Sequence, residues 1–289
     1  MTAADSRLVV NEIWLADTNS LNKRLGELRS TKPEGGIWAR YGHGKLENGH
    51  GRAAELKYNL FQVGYDKSST TDSGSNVYRG LAVTHTKGDS SYETGSGEAK
   101  YTNFALYQTW LGKGGDYYDV ILKYGRLSND YNVVDISSNY SEADYASNAW
   151  TLSGEYGKRF ALGGAYIEPN AELILGHVGS ADYTTSKGMK VNVDASKHAI
   201  TRLGFNLGKE FTNANAYFKA NYYHDFAGGG GITADTVSYE RDSFKNWWEL
   251  GIGGATKLGK NTSAYAEVNK YFGDMKSDVT FNVGLRYSF

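Results

Sequence analysis

Three acidic residues on successive segments have the types and spacing from which proton-transfer chemistry could be built. Near Asp119, the residues Tyr118, Val120, Leu122 and Tyr124 form an apolar set, which leaves Asp119 and Lys123 on the other parity. Trp150, Leu152, Tyr156 and Phe160 likewise oppose Thr151, Ser153, Glu155 and Arg159. Ile167, Ala171, Leu173 and Leu175 oppose Glu168, Asn170 and Glu172. Side chains of an extended strand alternate between its two faces, so the three acids would share a polar face. Carboxylates crowded into a confined site raise one another's pKa, which suits a group that exchanges protons near neutrality. A plainer reading also fits: a polar lumen is lined with charge anyway, and Arg40, Lys123 and Arg159 are candidate counter-ions.

Other constellations carry less. The histidines at positions 43, 50, 85, 177, 198 and 224 lack metal-ligand spacing, and cysteine is absent, so no metal or cofactor is expected. His224-Asp225 could suggest a protease, but a strand-end pair is the better expectation. The run Gly228–Gly231 has no Lys-Ser/Thr and helix after it, so it is no phosphate loop. Trp247-Trp248 places one indole on each face of its strand, one of them suited to a membrane interface.

The elements that must position these residues are strands. Gly36 onward repeats one pattern: a stretch of alternating polarity, then Gly, Asn, Asp or Ser. The expected strand centres are Trp38–His43, Tyr58–Asp66, Val77–Thr86, Tyr101–Trp110, Tyr117–Arg126, Ala149–Phe160, Tyr166–His177, Ala199–Phe211, Ala216–Phe226, Asn246–Lys257, Ser263–Phe272 and Val279–Phe289. In the last, Val279, Phe281, Val283, Leu285, Tyr287 and Phe289 suit lipid and the intervening residues suit water. The links Lys45–Lys57, Lys87–Glu98, Ser128–Ser147, Gly179–Lys197 and Ala227–Phe244 are long. Gly112–Gly115, Ala161–Gly164, Thr212–Asn215 and Leu258–Thr262 are short, while Ser68–Ser75 is longer than the rule prefers. Long strands in even number, with long and short connections alternating, predict an all-β membrane protein, a 12-stranded antiparallel transmembrane β-barrel.

Composition agrees. The chain has 36 Gly, 23 Tyr and only 2 Pro, which suits twisted strands better than helices. Its mean hydropathy of -0.54 fits a barrel in which only alternate residues meet lipid. No apolar run is long enough for a transmembrane helix, and the first residues hold no signal-peptide core. Either a signal was removed or the chain is the C-terminal piece of a longer precursor. A net charge of -1 argues against nucleic acid as a partner. The one helical segment expected runs from Asp5 to Arg29, with Leu8, Trp14, Leu15, Thr18, Leu21, Leu25 and Leu28 at helical spacing. Lys32-Pro33-Glu34-Gly35-Gly36 ends it. The expected domains are residues 1–35, a helix and linker, and residues 36–289, the barrel.

The segment Asn19-Ser20-Leu21-Asn22-Lys23-Arg24-Leu25-Gly26-Glu27-Leu28-Arg29 resembles the helix-to-barrel junction of autotransporters, closest to the pertactin group and the self-cleaving serine-protease group. Ile167-Glu168-Pro169-Asn170-Ala171-Glu172-Leu173 is a second specific match, and Gly36-Ile37-Trp38-Ala39-Arg40, Arg202-Leu203-Gly204 and Arg286-Tyr287-Ser288-Phe289 follow the same family. The resemblance implies a twelve-stranded translocator with the helix in its lumen, in the Gram-negative outer membrane. It further implies an N-terminal passenger carried to the cell surface, with a role in virulence. The implied partners are outer-membrane lipid, the attached passenger, the barrel-assembly machinery and periplasmic chaperones, and the barrel is expected to be a monomer.

In the self-cleaving branch the bond broken follows an Asn of the pore helix, which matches Asn19, so the bond is Asn19–Ser20. The family's acids match Asp119, Glu155 and Glu172. The implied enzymology is at most one turnover: the Asn side-chain nitrogen attacks its own backbone carbonyl, a cyclic imide forms and the next residue leaves. The alternatives are a small outer-membrane porin or channel, which predicts open conductance, and an outer-membrane protease, which predicts turnover of added substrate.

Overall fold

The computed structural model describes residues 2–18, 34–48, 54–134, 140–240 and 244–289. The alternating segments become twelve antiparallel strands: β1 (Gly36–Asn48), β2 (Glu55–Thr70), β3 (Asn76–Tyr92), β4 (Gly95–Leu111), β5 (Asp116–Val134), β6 (Tyr140–Lys158), β7 (Ala165–Val178), β8 (Ser196–Glu210), β9 (Ala214–Asp225), β10 (Asn246–Lys257), β11 (Thr262–Gly273) and β12 (Thr280–Ser288). Each pairs with the next, and β12 pairs back onto β1, with Ile37 opposite Tyr287 and Ala39 opposite Leu285. Closure leaves the wall without an open edge in the ring of twelve strands, as hydrocarbon surroundings require.

The wall is inverted relative to a soluble protein. Val63, Val83, Phe104, Leu122, Ile252 and Leu285 face outward and exposed, while Gln62, Asn103, Lys123, Glu172, Glu249 and Arg286 are buried inside. Apolar outside and polar inside is the pattern of a membrane barrel.

Several expected connections prove to be strand. The link expected over Lys87–Glu98 is a tight hairpin, with Tyr92 opposite Gly95. β5 and β6 likewise run far into the Ser128–Ser147 link. Beyond the bilayer both faces of a strand meet water, so the polarity alternation that reveals strands fades there. The two longest links each contribute a hairpin, Ala181–Thr184 with Lys190–Val193 and Gly231–Ala234 with Val237–Glu240. These join into a four-stranded sheet over a small core of Val191, Val193 and Ile232. The Ser68–Ser75 turn shortens because β2 continues to Thr70 and β3 starts at Asn76.

The helix α1 spans Thr2–Thr18; the rest of the expected helix, to Arg29, lies outside the described residues. Leu8, Trp14 and Leu15 stand at helical spacing, and the residues between them are buried too. Leu8, Val9, Ile13 and Trp14 are enclosed, and so are Asp5, Ser6, Asn11, Glu12 and Asp17. A helix of mixed polarity can be buried all round only where its surroundings are also mixed, and the lumen supplies them. Trp14 Nε1 donates to Thr151 of β6 at 2.9 Å, and the Ser196 hydroxyl of β8 donates to Asn11 at 3.2 Å. Arg7 donates to the carbonyl of Gly231 in the loop sheet, whereas Asp17 meets Lys123 in the lower half of β5. The helix therefore runs from the long-loop end toward the short-turn end.

Candidate functional site

Strands β4 to β8 place the site. Strand parity turns Asp119, Glu155 and Glu172 inward as expected, and all three are buried. Register does what parity could not. Asp119 of β5 is the Cα partner of Glu155 on β6, and Glu155 is the partner of Glu172 on β7. The row continues to Thr109 on β4 at one end and to Arg202 on β8 and Tyr223 on β9 at the other. Cβ atoms of directly opposed residues stand about 5 Å apart, and like charges so placed repel.

The neighbours offset that repulsion. Arg202 lies 2.8 Å from Glu155 and 3.0 Å from Glu172. Its N–H directions miss the oxygens, so these contacts are ionic rather than aligned hydrogen bonds. The Tyr117 hydroxyl donates to Glu155 at 2.5 Å, and the Thr109 hydroxyl donates to Asp119. The expected counter-ions are engaged elsewhere. Lys123 binds Asp17, Arg159 reaches Glu168 and Glu210, and Arg40 lies over the rings of Trp38 and Tyr265. Arg202 was missed as a site residue, although Leu203, Phe205 and Leu207 facing out already put it on the inward parity. Tyr117 and Thr109 carry the same unused signal.

The pore helix is fixed beside this wall. Lys123 Nζ donates to the Asp17 carboxylate at 2.8 Å and to its backbone carbonyl at 2.9 Å, and Asn103 donates to the same carboxylate at 2.9 Å. One turn earlier, Trp14 stacks on His198 with ring centroids 4.7 Å apart. Its indole lies where a Cβ at position 176 would be, which only glycine permits. Asn19 and Ser20 lie outside the described residues.

The protease pair dissolves. His224 faces outward and bonds Asn246 at 2.7 Å, whereas Asp225 faces inward and bonds His198 at 2.7 Å. Trp247 and Trp248 do take opposite faces, one buried and one exposed.

Residues 37–269 match the family described as Autotransporter beta-domain. The chain belongs to the autotransporter β-domain family. It is 31% identical to the BrkA autotransporter of Bordetella pertussis over 99% of this chain, a stretch that makes up 29% of that protein. It is 31% identical to the pertactin autotransporter of Bordetella parapertussis over 97% of this chain and 31% of the relative. A serine protease autotransporter, Pet, of Escherichia coli O44:H18 is 30% identical over 96% of this chain and 22% of its own length. The chain thus spans less than a third of these relatives. The solved β domain of BrkA superposes with a TM-score of 0.74 at 26% identity, covering 89% of this chain and 100% of that one. As an autotransporter β-domain, the chain is a translocator domain of type V secretion.

Proposed function

We propose that this autotransporter β-domain resides in the outer membrane of a Gram-negative bacterium, helps export an N-terminal passenger, and then releases it by one cleavage between Asn19 and Ser20. Residues 1–35 act as pore helix and linker and residues 36–289 as translocator. The barrel works as a monomer in outer-membrane lipid, delivered by periplasmic chaperones and the barrel-assembly machinery. The observation that carries the cleavage is the row Asp119–Glu155–Glu172 on the wall to which the helix is clamped. Asn19 follows Asp17 by two residues in the sequence. The helix runs toward the short-turn end, and Asp119 stands four residues from Lys123 in that direction.

In the reaction an acid of the row, as carboxylate, takes a proton from the Asn19 side-chain amide. The amide nitrogen adds to the Asn19 backbone carbonyl and closes the imide ring. The C–N bond to Ser20 breaks, and the leaving amine takes up the proton. Arg202, Tyr117 and Thr109 hold the acids in place while this happens. Holding attacking atom and carbonyl in one residue makes the step intramolecular, which is the main source of its rate.

The test folds the chain in detergent and follows it by N-terminal sequencing and mass. A product beginning at Ser20 is expected. The complementary fragment should be one water lighter than hydrolysis would leave it, until its imide opens. Asn19→Ala should abolish the product. Wild type that never yields Ser20 at its N-terminus, or Asn19→Ala that still does, ends the proposal.

A further inference from the structure

The outer face of β2 to β5 carries an order of charge that the lumen does not use. Val83, Phe104 and Tyr124 are cross-strand partners and form one exposed apolar row. One step toward the long loops stand Phe61, His85, Thr102 and Arg126. The next row is Asn59, Lys87, Lys100 and Ser128, and the one after is Lys57, Asp89, Glu98 and Asp130. Successive rows are two residues, about 6.6 Å, apart. Cations therefore occupy the two rows bordering the apolar belt, and the acids lie one step farther out.

The cations are available. Among the described residues, Glu98 is the ion-pair partner of both Lys87 and Lys100, at 2.5 Å from each ammonium, and those lysines are 49% and 40% exposed. Arg126 is exposed and has no hydrogen-bond or ion-pair partner among the described residues. On the strands β6 to β12, the outward cations at this end are Lys197 and Lys270, which two strands separate. Long basic side chains lay their stems on apolar surface and hold their charge at the headgroup level, where a basic cluster attracts lipid phosphate.

We infer that Lys87, Lys100 and Arg126, with Lys57 at the margin, bind the phosphate of an outer-leaflet glycolipid whose acyl chains lie on the Val83–Phe104–Tyr124 row. The inference rests on the proposed orientation, with the long loops facing outward. Glu98 competes with the lipid for the two lysines.

The test folds the full chain in detergent and titrates it with bisphosphorylated lipid A, dephosphorylated lipid A and phosphatidylglycerol, reading bound lipid by native mass spectrometry. Bisphosphorylated lipid A is expected to bind best. The variant Lys87→Gln/Lys100→Gln/Arg126→Gln should weaken it on the order of tenfold to a hundredfold, while Glu98→Gln, which frees two ammonium groups, should strengthen it. All variants should keep the heat-modifiable migration of the folded barrel. Equal affinity in wild type and the triple variant overturns the site. Equal binding of the dephosphorylated lipid overturns phosphate recognition, and equal binding of phosphatidylglycerol overturns the glycolipid assignment. Loops digested only from the periplasmic side of cells would refute the orientation, a failure separate from any loss of phosphate binding in detergent.

Discussion

Replacing Lys123 with methionine isolates the clamp that holds the pore helix. In the wild type its ammonium contacts the Asp17 carboxylate at 2.8 Å, and the two side chains are only 2% and 1% exposed. Removing one partner of such a pair costs about 3–5 kcal/mol, because the remaining buried charge loses a compensating group. Asn103 still donates to Asp17 at 2.9 Å, so the expected loss sits at the lower end, about 3 kcal/mol. At 1.4 kcal/mol per decade, the undocked helix becomes about a hundredfold more populated. Hydrogen exchange of the folded barrel reads this directly. Amides of Thr2–Thr18 should lose about two decades of protection while strand amides keep theirs. Asp17→Asn in the Lys123→Met background removes the remaining charge and should recover most of the loss. Unchanged helix protection in the single variant, or a double variant worse than the single, refutes the reasoning.

Other expectations follow from the same contacts. Gly176→Ala drives a methyl into the Trp14 indole; it should cost about 1–3 kcal/mol of helix docking by overpacking and should be relieved by Trp14→Phe, both read from helix hydrogen exchange. Trp14→Ala vacates a fully buried site and loses the bond to Thr151, so about 3–5 kcal/mol of docking should go, and single-channel recordings should show more frequent open events. Arg286→Met strips the counter-ion from Asp66, which keeps the Tyr107 hydroxyl at 2.9 Å. That variant should lose about 3–5 kcal/mol, seen as a lower temperature for the shift in gel migration.

Strand number and the inward set were legible because alternation is local. Tyr118, Val120 and Leu122 mark the lipid face of β5 whatever its neighbours do, so Asp119 had to face in. The ends of β3 to β6 were not legible, because strands that stand clear of the bilayer have water on both faces and lose their alternation. The four-stranded loop sheet was missed for a related reason: its strands are four residues each, too short for a period to show. The burial of both faces of the helix was not legible either. Burial of Asn11, Glu12 and Asp17 depends on enclosure by the whole wall, which no window of sequence contains.

By itself the sequence determined which face of each strand meets lipid, since a period of two is written into consecutive residues. Height along the barrel was decided by the tertiary structure alone. A strand shifted by two residues keeps every side chain on the same face but changes all of its partners. Only the hydrogen-bond register, set by the turns and by closure of β12 onto β1, puts Asp119, Glu155, Glu172 and Arg202 in one row. The closed wall also brings Lys123 to Asp17 across 106 positions of sequence.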